Sequence, residues 1–286
     1  MKVIRARVLG YCMGVRRAMD MADAALSQSP VYAMGPLIHN PQAMKILTGR
    51  GLAVLDEEKL PADLSGASVI IRAHGITPAL EAALVSRGAA LIDATCPRVK
   101  ASQLKAQSLC STGYRVLLAG EGRHGEVIGI QGYAPDCIIV GNPTEAMAAA
   151  EKLFAERPVK TALIGQTTIS EDEYAAIARA IEMVFPDLCV INTICRATRD
   201  RQDSLRSLCA RVDAVIVAGG RESANTRRLL TIARTSTPGG PGKPAWLAET
   251  PADIPDEIRR YTTVGLCAGA STPDFLIDAV EQVLCE

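Results

Sequence analysis

The sequence predicts an α/β fold with mostly parallel β-sheets, built from three similar units. Short apolar segments alternate with amphipathic helical patterns throughout the 286-residue chain, which is typical of parallel sheets covered by helices. The chain is 48% hydrophobic but only 3% aromatic, so aliphatic side chains must fill the core, as in strands that are buried on both faces. A cysteine in a recurring local frame marks each third of the chain.

The apolar segments are short and are separated by turns or helical patterns. Those predicted as strands are residues 3–9, 30–37, 68–74, 89–95, 115–121, 137–141, 161–167, 188–194, 214–220, 245–250 and 262–269. Helical spacing of apolar residues predicts helices over 13–28, 77–88 and 170–185. Two helices have start signals, because Thr77 precedes a proline and Ser170 precedes Glu173 by three residues, the pattern of a capping box.

The recurring frame consists of a cysteine that ends an apolar or turn segment and precedes a predicted helix. Its three copies contain Cys12, Cys96 and Cys195. Their wide separation excludes a local zinc knuckle, whose ligands come in close pairs. It fits three units that each offer one thiolate to a shared centre, and three thiolates on a cubic iron–sulfur cluster leave one iron open. A basic residue follows four positions after each cysteine: Arg16, Lys100 and Arg199.

The frame divides the chain into three predicted α/β units, residues 1–96, 97–194 and 195–286. Each unit contains a cysteine-led helix and then two strands that end in polar residues. Ligands of parallel α/β sheets bind at the carboxyl ends of the strands, so we expect these polar residues to face one pocket. They are His39 and His74 in the first unit, His124 and Thr167 in the second, and Ser223–Asn225 and Ser271 in the third.

The polar strand ends offer groups for proton transfer and for binding an anion. A carboxyl group beside a histidine in a closed pocket can deliver protons, and Glu126 follows His124 by two residues. Glu121 competes for this role, and the local sequence does not separate the two. Residues 166–170, 221–225 and 269–272 combine small residues with hydroxyl or amide groups. At helix N-termini such residues hold a diphosphate without a lysine.

Composition and charge exclude several classes of function. Lysine plus arginine equals aspartate plus glutamate at 31 each, which gives no support for nucleic-acid binding. No apolar run is long enough to span a bilayer, and the N-terminus lacks the features of a signal peptide. We therefore expect a cytoplasmic protein without membrane association, whose nine cysteines are mostly reduced.

Taken together, the motifs resemble those of the 4-hydroxy-3-methylbut-2-enyl diphosphate reductase family, the last enzymes of the methylerythritol phosphate route to isoprenoids. The matching segments run in the family's order from Gly10 to Pro273. They are GYCMGVRRA, IHN, AHG, DATCP, HGEV, QTT, IC-x-AT-x-x-RQ, S-x-N-T-x-RL and AGAS-x-P.

The resemblance implies a trefoil of three α/β units around a central [4Fe–4S] cluster, one per chain, with three cysteine ligands and one open iron. It assigns the metal ligands to Cys12, Cys96 and Cys195. It assigns catalysis to Glu126, Thr167 and His124. The implied substrate contacts are His39, His74, His124, Thr167, Thr168, Ser223, Ala224, Asn225 and Ser271.

The implied reaction is the reductive removal of the hydroxyl group from an allylic diphosphate, which gives isopentenyl and dimethylallyl diphosphate. Electrons would come from ferredoxin or flavodoxin, since no G-x-G-x-x-G after a strand indicates a bound nicotinamide or flavin. Three alternatives use the same cysteines: an iron–sulfur redox sensor, a non-reductive iron–sulfur hydro-lyase that binds a diphosphate ligand, and a metal-free α/β protein with buried thiols. Iron and sulfide content, and the electrons consumed per product, separate them.

The sequence departs from the family's pattern at two positions. Ala224 stands where the family often has a second serine or a glycine, so one hydroxyl is lost and substrate binding is expected to weaken by at most about 1 kcal/mol. Gly125 stands where a proline is common, and we expect it to loosen the loop that carries Glu126.

Overall fold

A computed structural model of the chain describes residues 1–27, 30–156, 160–237 and 240–286. The strands are β1 (Lys2–Arg5), β2 (Val31–Met34), β3 (Ala53–Leu55), β4 (Ser68–Ile71), β5 (Ala90–Asp93), β6 (Arg115–Ala119), β7 (Ile138–Val140), β8 (Thr161–Gly165), β9 (Cys189–Val190), β10 (Ala214–Ala218), β11 (Ser236–Thr237), β12 (Gly240–Pro241), β13 (Ala245–Ala248) and β14 (Thr263–Ala268). The α-helices are α1 (Met13–Ala25), α2 (Pro41–Gly49), α3 (Pro78–Ser86), α4 (Pro97–Ser111), α5 (Gly125–Tyr133), α6 (Pro143–Glu156), α7 (Glu171–Glu182), α8 (Arg196–Cys209), α9 (Ala224–Thr235) and α10 (Asp274–Cys285).

The strands form three four-stranded sheets in which every pairing is parallel, so the predicted fold class is confirmed. The strand orders are β3-β2-β4-β5, β7-β6-β8-β9 and β13-β10-β14-β1. All three orders follow one scheme, in which the two central strands end at the predicted substrate contacts and an outer strand leads to a cysteine. Strands β11 and β12 form a separate antiparallel pair.

The N-terminal strand completes the sheet of the last third of the chain. Strand β1 pairs with β14, with Lys2 opposite Thr263 and Arg5 opposite Leu266. The sequence division instead groups β1 with residues 1–96, because strand partners that are distant in the chain leave no local signal. Without β1, strand β14 would expose an unpaired edge, which proteins usually cover.

Contacts divide the chain into two compact units. Unit 1 comprises Met1–Met19, Ile38–Gly51 and Arg196–Glu286, and it contains the sheet β13-β10-β14-β1. Unit 2 comprises Asp20–Leu37 and Leu52–Cys195, and it contains the other two four-stranded sheets.

The central strands are buried on both faces, as the aliphatic composition predicts. In unit 1, Ile216 of β10 packs in one cluster with Leu276 and Val280 of α10. Its neighbour Val217 packs on the opposite face with Leu205 of α8. Since successive side chains of a strand point to opposite faces, helices must cover both sides of this sheet.

The three predicted helices lie where the sequence places them, although their ends differ by a few residues. The Thr77 side chain accepts a hydrogen bond from Leu80 at the start of α3, and Ser170 accepts one from Glu173 at the start of α7. Helix α1 ends at Ala25, and the last predicted residue, 28, lies outside the described residues. Among the described residues, no helix has the length and hydrophobicity needed to cross a bilayer.

Strand β3 is absent from the predicted strands. It has only three residues, and the first two of them, Ala53 and Val54, are exposed. It lies at the edge of its sheet beside β2. Such a short, half-exposed segment carries neither the continuous apolar pattern of a buried strand nor a clear alternation.

We expect Ser170→Ala to destabilise the first turn of α7, because the Ser170 hydroxyl is the acceptor for the Glu173 N–H at 3.2 Å. Loss of such a cap costs about 1 kcal/mol, which corresponds to about fivefold faster amide exchange in that turn. Hydrogen–deuterium exchange with mass spectrometry measures this in peptides from the start of α7. Peptides from α3, which has its own cap, serve as the internal control, and equal exchange in both proteins at α7 would contradict the assignment.

Candidate functional site

The three predicted metal ligands occupy equivalent places in the three sheets. Cys12 follows β1 and directly precedes α1, Cys96 follows β5 and precedes α4, and Cys195 follows β9 and precedes α8. All three are half-buried, and none of the chain's nine cysteines is joined in a disulfide. Each of the three therefore offers its thiol at the start of a helix, at the same place in its sheet.

The backbone of each cysteine is tied to the loop that follows the adjacent central strand. These loops carry the predicted substrate contacts Ser271, His74 and Thr167. The N–H groups of Cys12, Cys96 and Cys195 donate to the carbonyl oxygens of Ala270 (3.0 Å), Ala73 (3.0 Å) and Thr167 (2.9 Å), respectively. In each sheet, one hydrogen bond thus fixes a candidate metal ligand beside a candidate substrate contact.

The shared basic position does not have a shared contact. Arg16 lies 3.9 Å from a carboxylate oxygen of Asp274, whereas the Lys100 ammonium donates to the Tyr133 hydroxyl at 2.8 Å. These partners belong to the local packing of α1 and α4. The basic residue is therefore a weaker indicator of the metal centre than the cysteine itself.

Several other cysteines are unsuited to bind a metal. Burial raises the pKa of the Cys137 thiol to about 11 and that of Cys267 to about 12. Burial also raises the pKa of Cys209, and it is the main cause of the raised pKa of Cys110. These thiols stay protonated at neutral pH and behave as small apolar side chains.

Glu126 and Thr167 form a closed pair in unit 2. The two carboxylate oxygens of Glu126 accept one bond each from Thr167, at 2.6 Å from its N–H and at 2.8 Å from its hydroxyl. Glu126 is 1% exposed, whereas Glu121 is half-buried and its N–H donates to Gln166. The two candidate carboxylates thus differ in burial and bonding, and Glu126 is the one that lies in a closed environment.

His124 lies at the start of α5, where its Nδ1 atom accepts the N–H of Glu126 at 3.2 Å. Its ring meets that of His74 edge to face, with 5.2 Å between the ring centroids. Gly125 is the first residue of α5, so the turn between His124 and Glu126 is anchored by the helix and by Thr167. Unit 2 therefore brings together two imidazole rings and the Glu126–Thr167 pair.

Gln166 is a functional candidate that was not singled out from the sequence. Its side chain is fully buried, accepts the N–H of Glu121 at 3.0 Å and donates to the hydroxyl of Thr168 at 3.0 Å. It therefore connects the loop before His124 with the loop that carries Thr167 and Thr168. The available signal was its position directly before the two threonines at the end of β8.

In unit 1, the predicted diphosphate contacts gather at the start of α9. The Ser223 hydroxyl accepts the N–H of Thr226 at 3.3 Å, and the Ser271 hydroxyl lies 3.5 Å from it. Ser271 also donates to the carbonyl oxygen of His39 at 3.2 Å. Ala224 is the first residue of α9, and its buried methyl group leaves the backbone N–H as its polar contribution.

Asn225 has an unsatisfied amide. The residue is 4% exposed, yet neither Nδ2 nor Oδ1 has a hydrogen-bond partner among the described residues. A buried polar group without a partner costs about 1–3 kcal/mol, so such groups usually mark a place where a ligand or water completes the bonding. Its position in the first turn of α9 suits an anion.

Comparison with known proteins finds relatives along the whole chain, and they are the reductases that the sequence motifs resemble. A family model described as LytB protein matches residues 3–285. The chain is 47% identical to a 4-hydroxy-3-methylbut-2-enyl diphosphate reductase of Treponema denticola, over 100% of both chains. It is 40% identical to the reductase of the same name from Aquifex aeolicus, over 99% of this chain and 97% of the relative.

Solved structures agree with these relatives. The structure of the E-1-hydroxy-2-methyl-but-2-enyl-4-diphosphate reductase from Plasmodium falciparum matches with a TM-score of 0.90 at 29% identity, and the match covers 100% of this chain and 88% of that one. A structure described as (E)-4-hydroxy-3-methyl-but-2-enyl diphosphate reductase, the terminal enzyme of the non-mevalonate pathway, matches with a TM-score of 0.69 at 37% identity, over 100% and 99% of the two chains.

We expect Asn225→Leu to raise the free energy of unfolding of the ligand-free protein by about 1 kcal/mol, because it replaces an unsatisfied buried amide with an apolar group of similar size. Ser204→Ala is the control in the same unit. The buried Ser204 hydroxyl accepts the N–H of Val8 at 3.0 Å, so its loss should lower the free energy of unfolding by about 1 kcal/mol. Thermal unfolding of the two variants should therefore shift in opposite directions, and a destabilised Asn225→Leu variant would contradict the ligand-site interpretation.

Proposed function

The chain belongs to the LytB protein family, and from that membership and the site geometry we propose that it catalyses the reaction for which its relatives are named. It is an oxidoreductase that reduces 4-hydroxy-3-methylbut-2-enyl diphosphate in the terminal step of the non-mevalonate route to isoprenoids. The products are isopentenyl and dimethylallyl diphosphate. One observation carries the mechanism: Thr167 holds Glu126 through its hydroxyl and N–H groups, and holds Cys195 through its carbonyl oxygen.

Family membership implies an iron–sulfur protein, and we assign the cluster as [4Fe–4S] with Cys12, Cys96 and Cys195 as its three ligands. The residues fit this group, because all three are half-buried thiols outside any disulfide, and each stands at the start of a helix at the end of its sheet. When bound, the cluster supplies single electrons and a Lewis-acidic iron without a protein ligand.

The diphosphate is held by neutral donors rather than by a lysine clamp. Ser223, Asn225 and Ser271 are buried at the start of α9 or beside it, where the helix dipole favours an anion. The unsatisfied amide of Asn225 gains a partner when a phosphate oxygen binds. In this assignment His39, His74 and His124 add imidazole donors, and the Ala224 N–H replaces the missing hydroxyl.

Protons are supplied by the Glu126–Thr167 pair. The reaction consumes two electrons and two protons, one of which leaves with the hydroxyl group as water while the other is added to carbon. Glu126 is closed off from solvent and bonded to the Thr167 hydroxyl, so a proton can pass through that hydroxyl to the leaving group. His124 holds the turn that carries Glu126, and Thr168 is the adjacent hydroxyl at the substrate.

Electrons come from a ferredoxin- or flavodoxin-type donor in this proposal. A redox sensor would use the same cysteines but has no need for a buried proton-transfer pair, so the Glu126–Thr167 contact favours turnover. A hydro-lyase would consume no electrons. Counting electrons per product with a chemical reductant separates it from a reductase.

We expect Glu126→Gln to lower kcat by about 10²–10⁴-fold while the cluster and substrate binding are retained. The amide can keep the local geometry, since its oxygen can accept the Thr167 N–H and its nitrogen can donate to the Thr167 hydroxyl. Reductase activity is measured anaerobically with a chemical reductant, and substrate binding by calorimetry. Glu121→Gln is the matched control and should keep near-normal turnover, whereas full activity of Glu126→Gln would overturn the proton-donor assignment.

We expect Cys195→Ser to lose or degrade the cluster, because a serine hydroxyl is a poor substitute for a thiolate ligand. Cys209→Ser is the control, since Cys209 is a fully buried thiol whose pKa is raised by desolvation. Iron and sulfide content and the visible spectrum after anaerobic purification are the measurements. Equal iron content in the two variants would refute the ligand assignment.

A further inference from the structure

Arg72 closes the turn that carries His74. Its Nε atom donates to the carbonyl oxygen of Gly75 at 3.3 Å, and its own carbonyl oxygen accepts the N–H of Gly75 at 2.9 Å. Gly75 has a φ of +73°, which a residue with a side chain rarely adopts. Arg72 therefore closes this turn twice, once through its backbone carbonyl oxygen and once through its side chain.

The guanidinium group of Arg72 also lies against the turn that carries His124. A Cβ atom placed on Gly125 would lie 3.1 Å from both Cζ and Nη2 of Arg72, and a Cβ on Gly35 would lie 3.0 Å from Nη1. The planar group thus packs between two stretches of glycine backbone. These residues all belong to unit 2, as do the two histidines whose rings are in contact.

The environment of Arg72 argues for a packing role rather than an ion pair. Desolvation lowers the pKa of Arg72, and the negative charge of Glu57 opposes this shift without a hydrogen bond between the two side chains. A cavity of about 320 Å³, lined among others by Asp56, Glu57 and Arg72, lies beside the guanidinium. Burial costs this cation part of its hydration. What it gains in return is the hydrogen bond to Gly75 and the packing against Gly125.

We propose that Arg72 is a positioning residue, which sets the separation and orientation of His74 and His124 by packing its guanidinium against Gly125 and bonding to Gly75. This role rests on the proposed function, in which both histidines contact the substrate. It assigns to Arg72 a specific task in the reaction although the side chain itself does not touch the reacting atoms.

The backbone at Gly125 is already suited to proline. His124 has φ −76° and ψ 135°, the extended conformation that a following proline requires. Gly125 is the first residue of α5, where proline is favoured because its N–H is not needed by the helix. A Cβ atom at Gly125 would meet only the outer part of the Arg72 side chain, at 3.1 Å, so a shift of a few tenths of an ångström toward the neighbouring cavity would admit it. A proline ring at Gly125 would therefore stiffen the turn through its own fixed backbone, independently of the arginine.

Two substitutions test the positioning role. Arg72→Met should lower kcat/KM by about 10- to 100-fold, because the turn loses its support and a small misplacement of contacting groups has effects of this size. Gly125→Pro alone should change kcat/KM little, because the guanidinium can shift toward the neighbouring cavity. The double variant should recover to within about threefold of the wild type, because the proline ring then stiffens the turn by fixing its backbone. Anaerobic steady-state kinetics of all four proteins is the test.

Local amide exchange gives a second measurement that does not depend on activity. Peptides around residues 121–128 should exchange faster in Arg72→Met and return to the wild-type rate in the double variant. Arg87→Met is the control: Arg87 is another half-buried arginine of unit 2 that donates to a backbone carbonyl, that of Ala83 at 2.8 Å. It should change neither kinetics nor exchange at His124.

Each outcome decides the proposal. A loss in Arg72→Met with recovery in the double variant supports it, whereas a fully active Arg72→Met, or a double variant no more active than Arg72→Met, overturns it. If Arg72→Met fails to fold, Arg72→Lys takes its place, because it keeps the charge but loses the planar group that packs against Gly125. If the wild type reduces no substrate, the proposed function fails, and the exchange rates alone then decide whether Arg72 supports the turn.

Discussion

The hydrogen bond from the N–H of each cysteine to the neighbouring loop is the contact on which the candidate site depends. In the two sheets of unit 2 it continues the parallel ladder beyond the ends of the strands. Ala94 donates to Ile71 just before Cys96 donates to Ala73, and Ile191 donates to Leu163 before Cys195 donates to Thr167. Because the ladder uses backbone groups only, it fixes the register between metal ligand and substrate loop whatever side chains the loop carries. The same scaffold can then present different chemistry in each sheet.

Because the backbone ladder does not depend on the loop side chains, the two units can carry different chemical groups. The central strands of unit 1 lead to hydroxyl and amide groups at Ser223, Asn225 and Ser271, whereas those of unit 2 lead to imidazole rings and the Glu126–Thr167 pair. In the proposed function, three sheets with one strand order thus supply an anion site and a proton-transfer site that differ only in the residues after the strands. The fold positions the groups, and the loops determine what they do.

The sequence predicts the features that depend on neighbouring residues and misses those that depend on distant ones. The caps at Thr77 and Ser170 are local patterns, and the structure confirms both. The pairing of β1 with β14 joins opposite ends of the chain and has no local signal. The contact that distinguishes Glu126 from Glu121 is of the same kind, because Thr167 lies 41 residues beyond Glu126. The metal-ligand and substrate assignments remain predictions that rest on the recurring frame and the family resemblance.

The two candidate sites also differ in how complete they are without a ligand. Both carboxylate oxygens of Glu126 already have donors, so the proton-transfer pair is rigid before substrate arrives. Asn225 instead has two buried polar atoms without partners among the described residues, and the fold bears this cost until a ligand satisfies them. In the proposed function, binding energy gained at Asn225 therefore includes relief of a penalty that is already present in the free protein. Neutral donors suit this role, because a buried lysine would cost more to desolvate and would hold the diphosphate product more tightly.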